Sequence, residues 1–431
     1  VWARSTGTEC TVEELLGGGA QGEVYRVRNA LGALALKWYY PASATERQLS
    51  LIAKLIDKGP PDSSFLWPVD FAFASGVPGF GYLMRLREPR FRSLVELMQR
   101  RIDPSFRALS TAGFHLAHSF LQLHSKGLCY HDISFGNLFL DPDTGEILIC
   151  DNDNVTVDGE TGAGVLGTPR FMAPEVVTGQ GRPGIQTDLY SLAVLLFYLF
   201  VVHHPLEGAR ELAIHSFDLP AMNRLYGDEP VFIFDPRDTS NRPVPGYHDN
   251  ALAIWPIYPA FLRELFTRAF TTGISDPAHG RVRESEWRAA MIRLRDSVVC
   301  CEHCAGENFY DREPLQASAA KDGICWSCQR RYRTPFRIRI GRNIVVLNRD
   351  TMLFPHHIDE QRAYDFSAPV AVVRRHPADP RRWGLENLSA ESWVLEYQTG
   401  LAPREIPPGR TAALIHGGRI DFGPSRGEIR A

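Results

Sequence analysis

The sequence predicts an α+β protein in three parts: a two-lobed region that is β-rich first and helical afterwards, a small cysteine-rich module, and an all-β sandwich. Three observations carry that prediction. Short apolar runs spaced by turns fill the chain to about residue 86, and helical spacing takes over from about residue 92. Five of the eight cysteines crowd into residues 300–328. Beyond residue 334 short alternating runs return, with Gly and Pro punctuating the gaps. At 431 residues the chain is also too long for one core, since domains run to roughly 150 residues.

Residues 8–40 read as strands around a glycine turn: Val12, Leu15 and Leu16, then Val24 to Val27, then Leu34 to Lys37. Over 43–57, Leu49, Ile52, Leu55 and Ile56 share one helical face. Strand-like stretches follow at 65–73 and 80–86, and 105–126 reads as a long amphipathic helix. The run from Leu189 to Val202 is 14 residues long and contains Tyr190, Ser191 and Tyr198. A membrane span needs about 20 apolar residues, so this run reads as a buried core helix. In the tail, strands are expected around Ile344–Leu347, Pro369–Val373, Trp393–Leu395, Ala412–Ile415 and Arg419–Phe422. The expected boundaries are 1–296 for the two-lobed region (lobes at about 8–86 and 87–296), 297–333 for the cysteine module and 334–431 for the sandwich.

Composition narrows the function. Apolar content of 44% with 23% charged residues is ordinary for a globular chain. A net charge of −3 argues against bulk binding to nucleic acid or an anionic membrane. Residues 329–349 nevertheless hold seven Arg and no acid, which reads more simply as a solvated strand face than as a dock for an acidic partner. Arginine outnumbers lysine 42 to 5, so the place of each lysine is informative. The opening Val1-Trp2-Ala3-Arg4 has no signal-peptide pattern and leaves open what precedes it. Few, clustered cysteines favour a metal over disulfides, hence a reducing compartment, with the cytoplasm as the default. Cys10, Cys129 and Cys150 sit in apolar runs and read as core residues.

The chemistry starts at Gly17-x-Gly19-x-x-Gly22-x-Val24, between two strand-like runs. Glycines let backbone N–H groups approach phosphate oxygens with no Cβ in the way. A dinucleotide-binding turn would open a helix, whereas a strand follows here. Lys37 ends the next apolar strand, thirteen residues after Val24, where an inward lysine is costly unless it meets an anion. Asp132 and Asn137 lie five apart on a loop after the long helix, so one can contact an acceptor hydroxyl while the other ligates a cation. Fourteen residues beyond Asn137, the apolar strand Ile147-Leu148-Ile149-Cys150 ends at Asp151, a candidate Mg²⁺ ligand.

This order of glycine loop, strand lysine, Asp132…Asn137 and Asp151, followed by Gly167-Thr168-Pro169-Arg170-Phe171-Met172-Ala173-Pro174-Glu175, resembles the eukaryotic-type (Hanks-type) Ser/Thr protein kinases over about residues 8–296. The resemblance implies a bilobal kinase fold that uses ATP and Mg²⁺ or Mn²⁺ and acts on protein substrates. Gly17, Gly19, Gly22 and Val24 would cover the nucleotide, and Ala35, Met84 and Leu86 would line the adenine pocket. Lys37 would hold the α- and β-phosphates, Asp132 would orient and deprotonate the hydroxyl, and Asn137 and Asp151 would ligate Mg²⁺. Glu46, the one Glu in 43–57, would hold Lys37 from the helix, at a spacing of nine residues that is short for the family. Asp188 matches the structural aspartate of the large lobe, and Arg281 the arginine that pairs with Glu175.

The sequence departs from that pattern at four places. The usual His-Arg-Asp is Tyr130-His131-Asp132, which removes the usual counter-charge of a phosphorylated loop and argues against switching by that route. Ser134 replaces a lysine near the γ-phosphate. The usual Asp-Phe-Gly is Asp151-Asn152-Asp153, and Asp153 in place of glycine stiffens the segment and offers another metal ligand. A slow kinase and a pseudokinase scaffold both fit these changes. A small-molecule phosphotransferase is a third reading, disfavoured by the peptide-side segment Gly167 to Glu175.

Cys301-x-x-Cys304, twenty residues, then Cys325-x-x-Cys328 is a zinc-ribbon pattern in which four thiolates close a structural Zn²⁺ site. Cys300 and His303 are alternative ligands. The stretch from Trp383 to Gly423 resembles the last strands of a forkhead-associated (FHA) domain. Gly341-Arg342 is present, but no Ser-x-x-His occurs between 343 and 390, so the resemblance carries the fold and not phosphopeptide binding. A divergent kinase followed by a zinc ribbon is similar to bacterial kinases of von Willebrand A–phosphatase–kinase sets linked with tellurite resistance. That likeness implies a von Willebrand A partner and an opposing PP2C-like phosphatase.

Overall fold

The computed structural model describes residues 1–160, 167–311, 322–379, 381–397 and 402–431. Part of the cysteine module (312–321) and of the FHA-like stretch (380, 398–401) thus lies outside the described residues. Two compact units emerge: Val1–Pro256 with Phe261–Met291, and Ile257–Ala260 with Ile292–Ala431.

The first unit begins with a six-stranded antiparallel sheet made of β1 (Trp2–Ala3), β2 (Thr11–Gly18), β3 (Gly22–Asn29), β4 (Gly32–Tyr39), β5 (Asp70–Ala74) and β6 (Val77–Arg85), with helix α1 (Glu46–Lys58) between β4 and β5. The order across the sheet is β1-β5-β6-β4-β3-β2. Gly22 opens β3 opposite Tyr39, and a Cβ there would lie 2.2 Å from the Trp38 carbonyl oxygen. Only glycine lets β3 and β4 pair that closely at the turn. The stretch expected as a strand over 65–73 enters the sheet only at Asp70, because Pro68 interrupts the run and cannot donate to a ladder. Thr45 caps α1 by accepting from Gln48 N–H, and Gly59 ends it at φ 66°. The phase this sets buries Gln48, Ile52 and Leu55.

The rest of the unit is helical. Helix Phe106–Ser125, capped by Ser105, packs with helix Ile185–Val201, which is buried from Thr187 to Val201. Phe197 of the latter meets Phe232, Trp255, Phe266 and Phe270 at centroid distances of 5.2–5.9 Å. Each such ring contributes about 1.5–3 kcal/mol by burial, so this helix anchors the loops beside it. It is the run read from sequence as a core helix, and no helix among the described residues is long and apolar enough to cross a membrane.

The second unit holds two antiparallel sheets. One has the order Asn343–Val346, Arg337–Ile340, Arg426–Arg430, Arg419–Asp421, Trp393–Glu396, Arg404–Ile406. The other runs Met352–Leu353, Ala371–Arg375, Trp383–Asn387, Thr411–Ala413. Alternate residues such as Ile338, Ile340, Leu385, Trp393, Leu395, Ile420 and Ile429 form their common core. The cysteine module adds two hairpins, Val298–Cys300 with Glu307–Phe309 and Asp322–Ile324 with Arg331–Arg333. It shares a smaller core with the sandwich, where Val299, Cys301, Cys325 and Tyr332 pack with Val346. Buried Asn348 ties the two together, accepting from Cys300 N–H at 3.0 Å and donating to the Val298 carbonyl at 2.7 Å.

Candidate functional site

A cavity of about 680 Å³ opens in the first unit beside the glycine turn. Its lining includes Gly17, Gly19, Gly22, Val24, Ala35, Lys37, Met84 and Leu86, together with Asp132, Asn137 and Asp151. One residue expected there is elsewhere: Glu46 is exposed in the first turn of α1, and Lys37 pairs with Asp151 and Asp153. Sequence reasoning missed Leu66, Phe139, Gln21 and Asn154 in the lining. Gln21, at the tip of the glycine turn, donates to Asn154 Oδ1 at 3.3 Å.

Each group is held in place from below. Asp188, buried at the start of its helix, accepts Tyr130 N–H at 2.6 Å and His131 N–H at 3.2 Å, which fixes the loop carrying Asp132. His124 sits between Asp188 and Glu284, and although burial works against its charge, the two carboxylates raise its pKa to about 9. Asn137 donates to the Asp132 carbonyl at 2.8 Å, leaving its amide oxygen available to a ligand in the cavity it lines. Thr168 Oγ1 donates to Asp132 Oδ1 at 3.0 Å, so the segment that begins at Gly167 reaches the candidate base. Gly167, at φ 106°, permits this approach, since a Cβ there would meet the His131 carbonyl at 2.8 Å. Farther off, Glu175 receives both oxygens' worth of hydrogen bonds from Arg281, at 2.6 and 2.8 Å.

The departures from the kinase pattern have local explanations. Tyr130 is buried and its hydroxyl donates to the Cys150 carbonyl, bracing the strand that delivers Asp151. His131, where an arginine is usual, is turned inward at φ 70°, against Cys129 Sγ at 2.8 Å and Thr156 Oγ1 at 3.0 Å. Burial holds its pKa below the ordinary value, so at neutral pH it offers no counter-charge to a phosphorylated loop. Asp153 is fully buried, absent from the cavity lining, and taken up by Lys37 and Tyr39.

Lys37 pairs with Asp151 and Asp153, Asp132 adds to the negative charge on Asp151, and Arg85 and Arg87 also line the cavity. Burial lifts the Asp151 carboxyl above its usual range; Lys37 pulls it back, while Asp153 and Asp132 push it further up. Burial also opposes the charge on Lys37, but Asp153 and Asp151 outweigh it and hold the ammonium above its usual pKa. A hard divalent cation bound by Asp151 and the Asn137 oxygen fits this donor set, which is all oxygen.

In the second unit, the Sγ atoms of Cys301, Cys304, Cys325 and Cys328 all lie within 4.8 Å of one another. The Cys301–Cys328 and Cys304–Cys325 separations are 3.8 and 3.7 Å. A tetrahedral Zn²⁺ with Zn–S of about 2.3 Å needs edges of about 3.8 Å, so the four sulfurs fit that ion. Burial works against the Cys325 thiolate, yet N–H groups of Cys328, Ser327 and Asn308 bring its pKa down to about 6. His303 lies outside the cluster and donates to the Arg331 carbonyl at 3.0 Å.

A lysine, two aspartates and an asparagine around a nucleotide-sized cavity are the arrangement expected of a kinase, and comparison with known proteins points the same way. Residues 89–240 match the family described as protein kinase domain. Serine/threonine-protein kinase plk-2 of Caenorhabditis elegans is 32% identical over 127 residues, 27% of this chain and 18% of that protein. Serine/threonine-protein kinase PLK1 of Xenopus tropicalis is 34% identical over 127 residues, 27% of this chain and 20% of that protein. CBL-interacting protein kinase 3 of Oryza sativa subsp. japonica is 32% identical over 99 residues, 22% of each. The chain thus spans about a fifth of the length of these curated relatives, and its match to the protein kinase domain covers residues 89–240.

Proposed function

We propose that this protein transfers the γ-phosphoryl group of ATP to Ser or Thr hydroxyls of protein substrates. The observation that carries the reading is the convergence of Lys37, Asp132, Asn137 and Asp151 on one cavity beneath the glycine turn. Lys37 and the glycine-turn N–H groups bind phosphates, Asn137 and Asp151 hold Mg²⁺ or Mn²⁺, and Asp132 receives the hydroxyl proton. Thr168 orients Asp132 from the side where a peptide would lie. A scaffold that holds nucleotide without transfer has no use for Asp132 in this geometry. On this reading the four cysteines hold a structural Zn²⁺, and the FHA-like sandwich docks partners. Among those partners the resemblance suggests a von Willebrand A protein and a PP2C-like phosphatase, in a bacterial cytoplasm.

The test is phosphate incorporation from labelled ATP into the chain itself and into a generic protein, with Mg²⁺ and with Mn²⁺. Asp151→Ala runs beside it and is expected to lose at least about 100-fold, the scale of removing a charge-stabilising group. Transfer that survives in Asp151→Ala assigns it to another site or to a contaminant. Nucleotide binding with no transfer by the native chain turns the reading to the scaffold.

A further inference from the structure

Lys37 is held by two carboxylates from a single loop. Its Nζ lies 3.1 Å from Asp151 Oδ1, and 3.0 and 2.8 Å from the two oxygens of Asp153. The two acids differ in exposure: the Asp151 side chain is 45% exposed, the Asp153 side chain 0%. A fully buried carboxylate persists only where it is paired and hydrogen-bonded throughout. Asp153 meets that condition. Tyr39 Oη donates to its Oδ2 at 2.5 Å, Lys37 reaches both oxygens, and Gln48 Nε2 donates to its backbone carbonyl at 3.1 Å.

Helix α1 supplies only a neutral group at this point. Gln48 is its buried residue facing the loop and also donates to Tyr39 Oη at 3.1 Å, while Glu46, two positions earlier, is exposed. The charge that neutralises Lys37 therefore travels with the strand and loop that deliver Asp151. An ammonium has three N–H donors. With Asp151 given over to a cation, Asp153 still occupies Lys37 from below, and a donor remains for phosphate.

We propose that Asp153 is a positioning residue for phosphoryl transfer, fixing Lys37 at the nucleotide phosphates with a carboxylate that α1 does not supply. The proposal rests on the kinase reading above. It makes the lysine's counter-charge a property of the Asp151 loop, with α1 contributing only the neutral Gln48 that steadies Asp153 and Tyr39.

The test is a double-mutant cycle in the full chain, read by Mg²⁺·ATP affinity and by the kcat and KM of transfer. The variants are Lys37→Met, Asp153→Asn, the pair together, and Asp153→Asn with Gln48→Glu, which moves the carboxylate to the helix. Asp153→Asn is expected to lose about tenfold or more in affinity or kcat/KM, and the Lys37→Met/Asp153→Asn pair no more than the worse single, because both act through one ammonium. Gln48→Glu in the Asp153→Asn background is expected to recover most of the loss, which a purely structural role would not do. If Asp153→Asn fails to fold, the relocated-carboxylate variant is compared directly with Lys37→Met: affinity above that of Lys37→Met supports the proposal, and equal affinity overturns it. Additive losses, or native affinity in Asp153→Asn beside a weak Lys37→Met, each overturn it. A native chain that binds Mg²⁺·ATP without transfer defeats the kinase reading instead, while the affinity cycle still decides the role of Asp153.

Discussion

Raising the pH through 9 should remove a specific stabilisation from the first unit. His124 is buried between Asp188 and Glu284, and its pKa of about 9 stands above the ordinary 6.5. A group whose folded pKa is raised stabilises fully below its unfolded pKa and loses that contribution as pH climbs through the folded value. Here the window runs from about 6.5 to about 9. The shift of about 2.5 units corresponds to roughly 3 kcal/mol at 1.36 kcal/mol per unit, undiscounted because the imidazole is shielded from solvent. The assay is urea unfolding of the native chain and of His124→Gln at pH 6, 7.5 and 9.5. The transition of the second unit, which lacks His124, serves as internal reference. The gap between native and variant should be largest at pH 6 and shrink by about 3 kcal/mol at pH 9.5. A gap that stays level across that range would refute the claim that a charged His124 holds Asp188 and, through it, the loop of Asp132.

Two further outcomes are expected. Arg281→Met should cost about 3–5 kcal/mol, because the Arg281 side chain is 2% exposed and its loss strands Glu175; thermal unfolding of the first unit reads this. Cys325→Ser, or a strong chelator, should remove one equivalent of zinc by elemental analysis and lower the melting temperature of the whole second unit, since the cysteines and Val346 of the sandwich share a core.

Legibility in the sequence followed how local the chemistry was. The glycine turn, Lys37, Asp132, Asn137 and Asp151 each announce themselves within a short run, by a residue type that is costly where it stands unless it has work. The counter-ion of Lys37 does not. Glu46 was the one glutamate available on the helix, but Thr45 caps α1 and sets a phase in which Gln48 faces inward. The true partner lies 116 positions away, in a segment where a glycine was expected. The same distance hid the joint between cysteine module and sandwich, because the partners of Asn348 are 48 and 50 residues upstream of it. Pattern showed both modules, but not that one asparagine binds them into a single unit.

The balance of charge in the cavity bears on transfer against mere binding. Two aspartates pair with Lys37, Asp132 adds to the negative charge on Asp151, and burial works against the ionisation of Asp151 as well. A protein selected only to hold a nucleotide, itself an anion, would gain by losing carboxylates there, since each repels the phosphates. Retaining Asp151 beside Asp132 is favourable only with a divalent cation between carboxylate and phosphate, and a base is useful only if a proton is to move. Asp153 fits the same logic: it lies outside the cavity lining and pairs with Lys37.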